Sequence, residues 1–298
     1  MSKYAAVVGA VNMDIWGRSL APLIERDSNP GKIAYSPGGV GRNIAHNLAL
    51  LGAGVEMLTA LGDDFWAAAI EKSCRDCGIG LDRALRVPGE ATGTYMFITG
   101  PDGDMSLAVS DMDMAQHISP QVIEANLDML NRAELVVFDG NLREDSIDCL
   151  TAKCNVPIFA DPVSVTKAKK LIPYLGRIHT IKPNALEACA LTGESDASAA
   201  AEALVLAGVK RAFVSDGLRG MAAAHGLDLY HVDCCRSALV NATGAGDAVM
   251  AALCKSFLEG RDIVSSARYA MAAGAVACEC RETINPRMSD ALVKSRME

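Results

Sequence analysis

The chain has 298 residues, of which 50% are hydrophobic and 21% charged, a composition that excludes a disordered protein and suits one large folded domain. Its 28 basic and 36 acidic residues give a formal net charge of −8 without a Lys/Arg block, so nucleic acid is not expected as a partner. No apolar run reaches the roughly 18 to 20 residues of a membrane span, and the start MSKYAAVVGAVNMDI lacks the architecture of a signal peptide, so we expect a cytoplasmic protein with no membrane contact.

Ten cysteines are scattered along the chain. A protein that is not exported keeps its thiols reduced, so we expect free thiols rather than disulfides. Cys74 and Cys77 form a Cys-x-x-Cys pair, but neither a second such pair nor a His pair follows at the spacing of zinc ligands. Two thiols on one helix is therefore the favoured interpretation.

Short apolar runs alternate with amphipathic stretches from the beginning of the chain. The run YAAVVGAV predicts a buried strand, GRNIAHNLALLG a helix that ends at Gly52, VEMLTAL a strand, and DDFWAAAIEKSCRDCG a helix with acids in its first turn. Four more short β-rich runs, ELVVFDG, VPIFADP, RIHTIKP and RAFVSDG, are separated by helical segments. Strands that alternate with helices predict a mostly parallel sheet covered on both faces.

One segment departs from this alternation. The run TGTYMFITGPDGDMSLAVS consists of two apolar-rich stretches around Gly-Pro-Asp-Gly-Asp, which predicts a β-hairpin. Strand-like pieces near 13–19 and 32–36 can pair with it as an antiparallel patch. We therefore expect one domain over residues 1–298, with a discontinuous β lid built from approximately 13–19, 32–36 and 93–110.

Polar residues follow several of the predicted strands. In open α/β sheets, ligands bind beyond the carboxyl ends of the strands. Residues at such ends are Asn12, Asp14, Asp139, Asn141, Asp161, Asn184, Ser215 and Asp216. Their number on one sheet edge predicts a binding site there.

The run NATGAGD precedes the amphipathic helical stretch AVMAALCKSFLEG, which places Gly244, Ala245 and Gly246 at the first turn of a helix. The N–H groups of a first turn lack internal partners and small residues let an anion approach them. The turn can therefore hold a transferring phosphoryl group, and Asp247 can accept a proton from an attacking hydroxyl. An acid that only complements the helix dipole explains the same local pattern equally well. A Walker A run and a third glycine after Gly39-Val40-Gly41 are absent, which disfavours P-loop and Rossmann folds.

Two runs resemble the signatures of the ribokinase-like (PfkB-type) carbohydrate kinases: NATGAGDA and SPGGVGRNIA. The resemblance extends over essentially the whole chain and includes the opening Gly-x-x-Asn-x-Asp, the hairpin, KPNALE and VSDGLRG. It implies a three-layer α/β/α sandwich with a mostly parallel central sheet and a small β-sheet lid. It also implies transfer of a phosphoryl group from ATP with the help of Mg²⁺.

The resemblance assigns roles to matching positions. It makes Asp247 the base, with Gly244, Ala245 and Gly246 as the anion hole. It assigns the substrate to Asn12, Asp14, Gly38, Gly39 and Asn43, and we add Asn141 and, from its place after the hairpin, Asp111. It assigns ATP to Asn184, Glu187, Ser215, Gly217, Gly220, Gly244 and Gly246. Glu187 would act on Mg²⁺ through water, and residues 272–281 would flank the adenine.

Within this family, four features resemble the pseudouridine kinases most: NMDI, GGVGRNIAHNLALLG, DGNL, and DPVS followed by Lys167. The GGKGANQA run of ribokinases and a basic cluster for a sugar phosphate are absent. We therefore expect phosphorylation of the 5′-hydroxyl of pseudouridine. The alternatives are a kinase for another nucleoside or for ribose, and a nucleoside-binding regulatory protein of the same fold.

Asn241 departs from the family signature, which usually begins with Asp. In several relatives that Asp helps bind an activating potassium ion, so activation by a monovalent cation is doubtful here. The lid is expected to close over the sugar and exclude water. Its exposed strand edges favour a homodimer through the lid.

Overall fold

The computed structural model describes residues 3–297. The strands of this range are β1 (Tyr4–Val8), β2 (Asn12–Ser19), β3 (Gly31–Gly38), β4 (Gly54–Leu58), β5 (Ala60–Leu61), β6 (Ile79–Gly80), β7 (Leu85–Arg86), β8 (Thr94–Thr99), β9 (Met105–Asp111), β10 (Leu135–Asp139), β11 (Ile158–Asp161), β12 (Thr180–Ile181), β13 (Arg211–Ser215), β14 (Met221–His225) and β15 (Asp228–Val232).

The α-helices of the same range are α1 (Val40–Leu50), α2 (Phe65–Asp76), α3 (Pro120–Ala125), α4 (Leu127–Leu130), α5 (Glu144–Lys153), α6 (Val165–Ala168), α7 (Ala185–Thr192), α8 (Ala197–Leu206), α9 (Ala245–Leu258), α10 (Ile263–Ala277) and α11 (Asp290–Ser295). Short 3₁₀ segments span Asp113–His117, Lys169–Arg177 and Gly217–Arg219.

A nine-stranded sheet with the order β15-β14-β13-β12-β11-β10-β1-β4-β6 forms the centre of the molecule. Its strands from β13 to β6 are parallel, whereas β14 and β15 continue the sheet as antiparallel neighbours. The predicted mostly parallel sheet is confirmed. The β14–β15 hairpin was not predicted, since the run MAAAH lacks the branched and aromatic residues that mark a strand.

Both faces of this sheet are covered by helices. In β1, Ala5 and Val7 pack into one apolar core and Ala6 and Val8 into the other, as the period of two in a strand requires. The first core is closed by α1, α2, α9, α10 and α11, and the second by α3 to α8. The predicted three-layer α/β/α arrangement is thereby confirmed, and double burial explains the continuous apolar runs of the strands.

Two helix ends test the predicted helix boundaries. Gly52 follows α1 with a φ of 79°, and the N–H of Ala53 donates to the Leu48 carbonyl at 3.0 Å, so the predicted glycine stop is confirmed. Asp64 lies before α2 and accepts a hydrogen bond from the Ala67 N–H at 2.8 Å. The expectation of acids inside the first turn of α2 is therefore wrong, because the carboxylate caps the helix from outside.

A separate small sheet has the order β3-β2-β8-β9. The predicted hairpin is present as β8 and β9, which are antiparallel like β2 and β3. The pairing of β2 with β8 is parallel, so the expected antiparallel patch is a mixed sheet. The β2–β3 and β8–β9 pairs are separated along the chain by elements of the main body. Their first strands, β2 and β8, run in the same direction.

All ten cysteines are free thiols, as predicted. Within residues 3–297 the longest α-helix has 15 residues, and none is long and apolar enough to cross a membrane.

Candidate active site

The run NATGAGD forms the entry to α9. Gly244 precedes the helix with a φ of 82°, a left-handed conformation, and a β-carbon at this position would lie 2.3 Å from the Thr283 carbonyl oxygen. Only glycine satisfies both conditions. No side chain caps the first N–H groups of α9 within the described residues, so these groups remain available to an anion.

Asp247 lies in the first turn of α9. Its Oδ2 accepts a hydrogen bond of 2.8 Å from the side-chain amide of Asn43 in α1. Burial and the nearby carboxylate of Asp161 raise the pKa of Asp247 to about 7, although Asn43 and Lys182 act in the opposite direction. A carboxyl with this pKa changes its protonation near neutral pH, as a general base requires.

Lys182 places a buried ammonium next to this carboxyl. Its Nζ lies 3.1 Å from Oδ2 of Asp161, and both side chains are buried. Burial alone would lower the pKa of Lys182, but neighbouring carboxylates, that of Asp161 first, raise it. A β-carbon on Gly246 would lie 3.0 Å from Nζ, so the ammonium adjoins the first turn of α9. Lys182 was not predicted as a site residue, although a lysine directly after an apolar strand was a usable signal.

Asn12 and Asp14 belong to β2 rather than to the end of β1. The amide of Asn12 donates to Oδ1 of Asp14 at 2.6 Å, and burial raises the pKa of Asp14. A β-carbon on Gly38 would lie 2.2 Å from Oδ2 of Asp14. Gly39, the residue before α1, has a φ of 95°. The glycine pair therefore lets the backbone before α1 pass directly beside the Asp14 carboxylate.

Asn141 follows β10 and is buried. Its Oδ1 accepts a hydrogen bond of 2.5 Å from Lys167 Nζ, and its backbone carbonyl accepts one of 3.1 Å from Gln116. Its N–H donates to Oδ1 of Asp139 at 2.8 Å. Asn141 is thus fixed at the strand edge between β10 and β11, as the strand-end pattern predicted.

Asn184 and Glu187 form the start of α7. The Asn184 side chain accepts from the Glu187 N–H at 2.9 Å, and Oε2 of Glu187 accepts from the Asn184 N–H at 2.9 Å. This reciprocal capping box occupies one oxygen of each side chain. Burial raises the pKa of Glu187, and its second carboxylate oxygen remains available as a hard donor.

A magnesium ion fits this donor set only with help from other oxygens. Among residues 3–297, no group of three or more His, Cys, Asp or Glu residues is arranged to hold a metal ion. Mg²⁺ usually keeps several waters and takes one or two carboxylates together with substrate phosphates. The single available oxygen of Glu187 is compatible with such a site.

The loop after β13 adjoins Asn184. Ser215 pairs with Asn184 through an isolated parallel bridge, and its N–H donates to the Pro183 carbonyl at 3.0 Å. Gly217 and Gly220 have φ values of 56° and 93°, and a β-carbon on Gly220 would lie 2.2 Å from the Val232 carbonyl oxygen. The predicted nucleotide-side residues therefore form one continuous turn beside α7.

The structure brings most of the predicted residues together in two adjoining groups. One is centred on Asp247, and the other consists of Asn184, Glu187 and the loop after β13. Asn43 joins α1 to Asp247. Lys182 pairs with Asp161 and adjoins Gly246, the residue before Asp247. Asp111 differs: it ends β9 opposite Thr94, and its side chain is exposed. Within the described residues, no hydrogen bond connects the Asp111 side chain to another predicted site residue.

Asn241 has both ends of its amide engaged. Its Nδ2 donates to the Arg281 carbonyl at 2.9 Å, and its Oδ1 accepts from the Thr243 N–H at 3.0 Å. The Val240 N–H donates to the Cys278 carbonyl at 2.9 Å. Residues 272–281 are thereby attached to the loop that leads into α9.

Comparison with known proteins shows the family of the chain. The family model described as pfkB family carbohydrate kinase matches residues 2–291. A pseudouridine kinase of Escherichia coli (strain K12) is 36% identical over 310 residues, covering 99% of this chain and 96% of that protein. A carbohydrate kinase structure from Agrobacterium tumefaciens has 27% identity and a TM-score of 0.88, covering 99% of this chain and 97% of that chain. The structure of an Arabidopsis thaliana ribokinase complexed with ribose and ATP has 24% identity and a TM-score of 0.86, covering 100% of this chain and 99% of that chain; this likeness concerns the fold.

Proposed function

Because the chain belongs to the pfkB family of carbohydrate kinases, we propose that it transfers the γ-phosphoryl group of ATP to the 5′-hydroxyl of pseudouridine. The reaction class follows from the family. The nucleoside is our inference, supported by the similarity to a pseudouridine kinase over 99% of the chain and by the DGNL and DPVS turns at the strand edge.

The observation that carries the proposal is the environment of Asp247. Its carboxyl has a pKa of about 7 and is oriented by Asn43 at 2.8 Å. In the proposed reaction, Asp247 takes the proton of the 5′-hydroxyl while that oxygen attacks the γ-phosphorus, and ADP leaves with the oxygen that bridged the β- and γ-phosphorus. A positioned base of this kind contributes on the order of 10² to 10⁴ in rate.

The transferring phosphoryl group lies, in this proposal, at the first turn of α9. Gly244, Ala245 and Gly246 present backbone N–H groups to the negative charge, and the Lys182 ammonium adds a buried positive charge at the same place. Glu187 would hold Mg²⁺ through water, and the ion would neutralise charge on the phosphates. Ser215, Gly217 and Gly220 line the nucleotide side next to Asn184.

The sugar lies, in this proposal, between the small sheet and α1. Asp14 can accept hydrogen bonds from two neighbouring hydroxyls. Oδ1 of Asn43 is buried without a protein partner within residues 3–297, and a substrate hydroxyl would satisfy it. Gly38 and Gly39 admit the ring beside Asp14, and Asn141 faces the same edge of the central sheet. In this proposal, the exposed Asp111 reaches the substrate when the small sheet closes over it.

A substrate panel tests the proposal. Purified protein with ATP and Mg²⁺ is assayed on pseudouridine, uridine, adenosine and ribose, and we expect the highest kcat/KM with pseudouridine. Preference for ribose or another nucleoside would overturn the substrate assignment while leaving the kinase class intact.

The catalytic assignment is tested separately. Asp247→Asn keeps the size of the side chain and removes the base, so kcat should fall by about 10² or more. A fall of less than about tenfold, worth only ~1.4 kcal/mol, would show that Asp247 is not the base. Nucleoside binding without any turnover in the wild-type protein would favour a regulatory nucleoside-binding protein instead.

A further inference from the structure

Asp139, one of the polar residues at the strand ends, is a buried carboxylate with no predicted chemical role. It is the last residue of β10 and has no exposed surface. Its Oδ2 accepts hydrogen bonds from the N–H groups of Ala10 at 2.9 Å and Gly41 at 2.8 Å, and its Oδ1 accepts one from the N–H of Asn141 at 2.8 Å. One side chain therefore connects three segments that are distant in sequence.

Each of the three segments carries predicted substrate residues. Ala10 is two positions before Asn12, and Gly41 is two positions before Asn43 in the first turn of α1. The third segment contains Asn141, which is itself a predicted substrate residue. Since backbone N–H groups are the donors, the Asp139 carboxylate sets the position of the backbone from which these side chains extend. We propose that Asp139 is a positioning residue that holds the nucleoside side of the site in register.

The surrounding glycines support this role independently. A β-carbon on Gly9 would lie 2.4 Å from Oδ2 of Asp139, and one on Gly41 would lie 3.0 Å from the same atom. Neither glycine has a positive φ, so the left-handed region does not require glycine at either position. At Gly9 the carboxylate takes the space of a side chain, and at Gly41 it does so together with the backbone of Gly9, which would lie 2.9 Å from the β-carbon.

The three N–H donors need an oxygen acceptor at both ends of the side chain, which an amide of the same size does not offer. Three N–H donors point at two oxygens, and each oxygen accepts. In Asp139→Asn, one end of the side chain becomes an NH₂ group that faces at least one N–H donor. The amide oxygen can keep the Ala10 and Gly41 pair, so we expect the unfavourable contact to fall on Asn141.

This inference rests on the proposed nucleoside kinase function, and equilibrium binding tests the two separately. Titration calorimetry measures the Kd of pseudouridine without ATP and the Kd of a non-hydrolysable ATP analogue, for wild type and Asp139→Asn. We expect the nucleoside Kd to rise by about tenfold or more, as loss of a hydrogen bond to a charged group implies. The Kd of the analogue should change by less than about twofold. Equal weakening of both ligands, or an unchanged nucleoside Kd, would overturn the inference.

Further variants separate positioning from general destabilisation. Asp139→Asn and Asn141→Ala should be non-additive in nucleoside Kd, because both act on Asn141; additive effects would contradict the role. Asp262→Asn is the matched control, since Asp262 only caps α10 through Ser265 and should leave both Kd values unchanged.

If Asp139→Asn does not fold, Gly9→Ala tests the same contact by pressing on Oδ2 of Asp139. Gly176→Ala is the control, because its β-carbon would make only an ordinary contact of 3.8 Å with the Ala207 carbonyl oxygen. Gly9→Ala should weaken nucleoside binding selectively, and a nucleoside Kd equal to that of Gly176→Ala would overturn the inference. Failure of wild type to bind any nucleoside or ribose would instead overturn the proposed function.

Discussion

The side-chain amide of Asn43 donates a hydrogen bond of 2.8 Å to Oδ2 of Asp247 across 204 positions of the sequence. Asn43 lies in α1 and Asp247 in α9, two helices packed on the same face of the central sheet. The bond favours the ionised form of Asp247, whereas burial and Asp161 favour the protonated form. The balance of these influences gives the carboxyl a pKa of about 7.

This balance predicts the pH dependence of the reaction. If Asp247 is the base, kcat/KM for the nucleoside should rise through pH 7 and level off above about pH 8. Asn43→Ala removes the hydrogen bond that lowers the pKa of Asp247, so the rise should move to higher pH. A pH–rate profile measures both. Asn126→Ala, an asparagine whose amide bonds only within α3, should leave the profile unchanged, and a profile that is flat between pH 5.5 and 8.5 would contradict the assignment.

The same raised pKa predicts a cost in stability. The pKa of Asp247 is about 7 in the folded protein against 3.8 as the reference value, so the folded state binds this proton more tightly than the unfolded state. The contribution of Asp247 to the free energy of unfolding should therefore decrease as pH rises from about 4 through 7. Asp247→Asn cannot ionise and should have a higher Tm than wild type at pH 8, with the difference vanishing below pH 4.

Calorimetric unfolding between pH 4 and 8 checks this prediction. Asp262→Asn is the matched control of opposite sign, because hydrogen bonds from Ser265 lower the pKa of Asp262 and its ionised form stabilises the fold. That variant should lose stability at pH 8. A lower Tm for Asp247→Asn at pH 8 would show that ionised Asp247 stabilises the structure.

Val163 lies in a strained turn next to the site. Its φ is 70°, which β-branched residues rarely adopt. The Ser164 N–H donates to the Pro162 carbonyl at 2.8 Å, and the Val163 N–H donates to Oδ1 of Asp161 at 2.9 Å. Val163→Gly should relieve the strain and raise the free energy of unfolding by about 1 kcal/mol. It should also lower kcat/KM, since a looser turn no longer fixes Asp161.

Arg26 provides the control for strain alone. It has a φ of 61° and lies exposed between β2 and β3. Arg26→Gly should gain similar stability in urea unfolding without a change in kcat/KM. Loss of stability in Val163→Gly, or unchanged activity, would argue against a strained positioning turn.

From the hydrogen bonds of Asn241 we predict that the activity of the protein does not depend on potassium. The amide nitrogen of Asn241 donates to the Arg281 carbonyl, and its amide oxygen accepts from the Thr243 N–H. Asn241 therefore contacts the Arg281 carbonyl oxygen through a hydrogen bond, without a cation between the two residues. Replacing Na⁺ by K⁺ should change kcat by less than about twofold. Asn241→Asp puts a carboxylate opposite the Arg281 carbonyl, and we expect it to require K⁺ for full activity. Strong K⁺ activation of wild type would refute this account.

From the exposed apolar face of the small sheet we predict a homodimer. On one of its faces, Ile33 (80% exposed), Leu107 (60%) and Val109 (62%) present side chains to solvent. An apolar face on an open sheet is characteristic of a protein–protein contact. Leu107→Glu should convert a dimer into a monomer in light scattering, whereas Leu206→Glu, on the exposed surface of α8, should not. A monomeric wild type at micromolar concentration would exclude the contact.

Much of the fold could be predicted because local patterns are strong where both faces of a strand are buried. The run ELVVFDG ends at Asp139, and GRNIAHNLALLG ends before Gly52, in the structure as in the sequence. The parallel pairing of β2 with β8 and the β14–β15 hairpin could not be read in this way. Strand direction and the pairing of alanine-rich strands depend on contacts between distant segments.

The sequence by itself determined which residues are candidates for the chemistry: the NATGAGD run, the glycine pair and the polar strand ends. Short-range geometry is sufficient for this, because a glycine-rich turn before a helix exposes N–H groups wherever it occurs. Only the tertiary structure decided how these groups act on each other. It placed the half-buried Asp247 near Asp161 and gave it Asn43 as a partner, it paired Lys182 with Asp161, and it placed three backbone N–H groups around Asp139. Burial and distance set pKa values and hydrogen-bond partners, and both are properties of the packed chain.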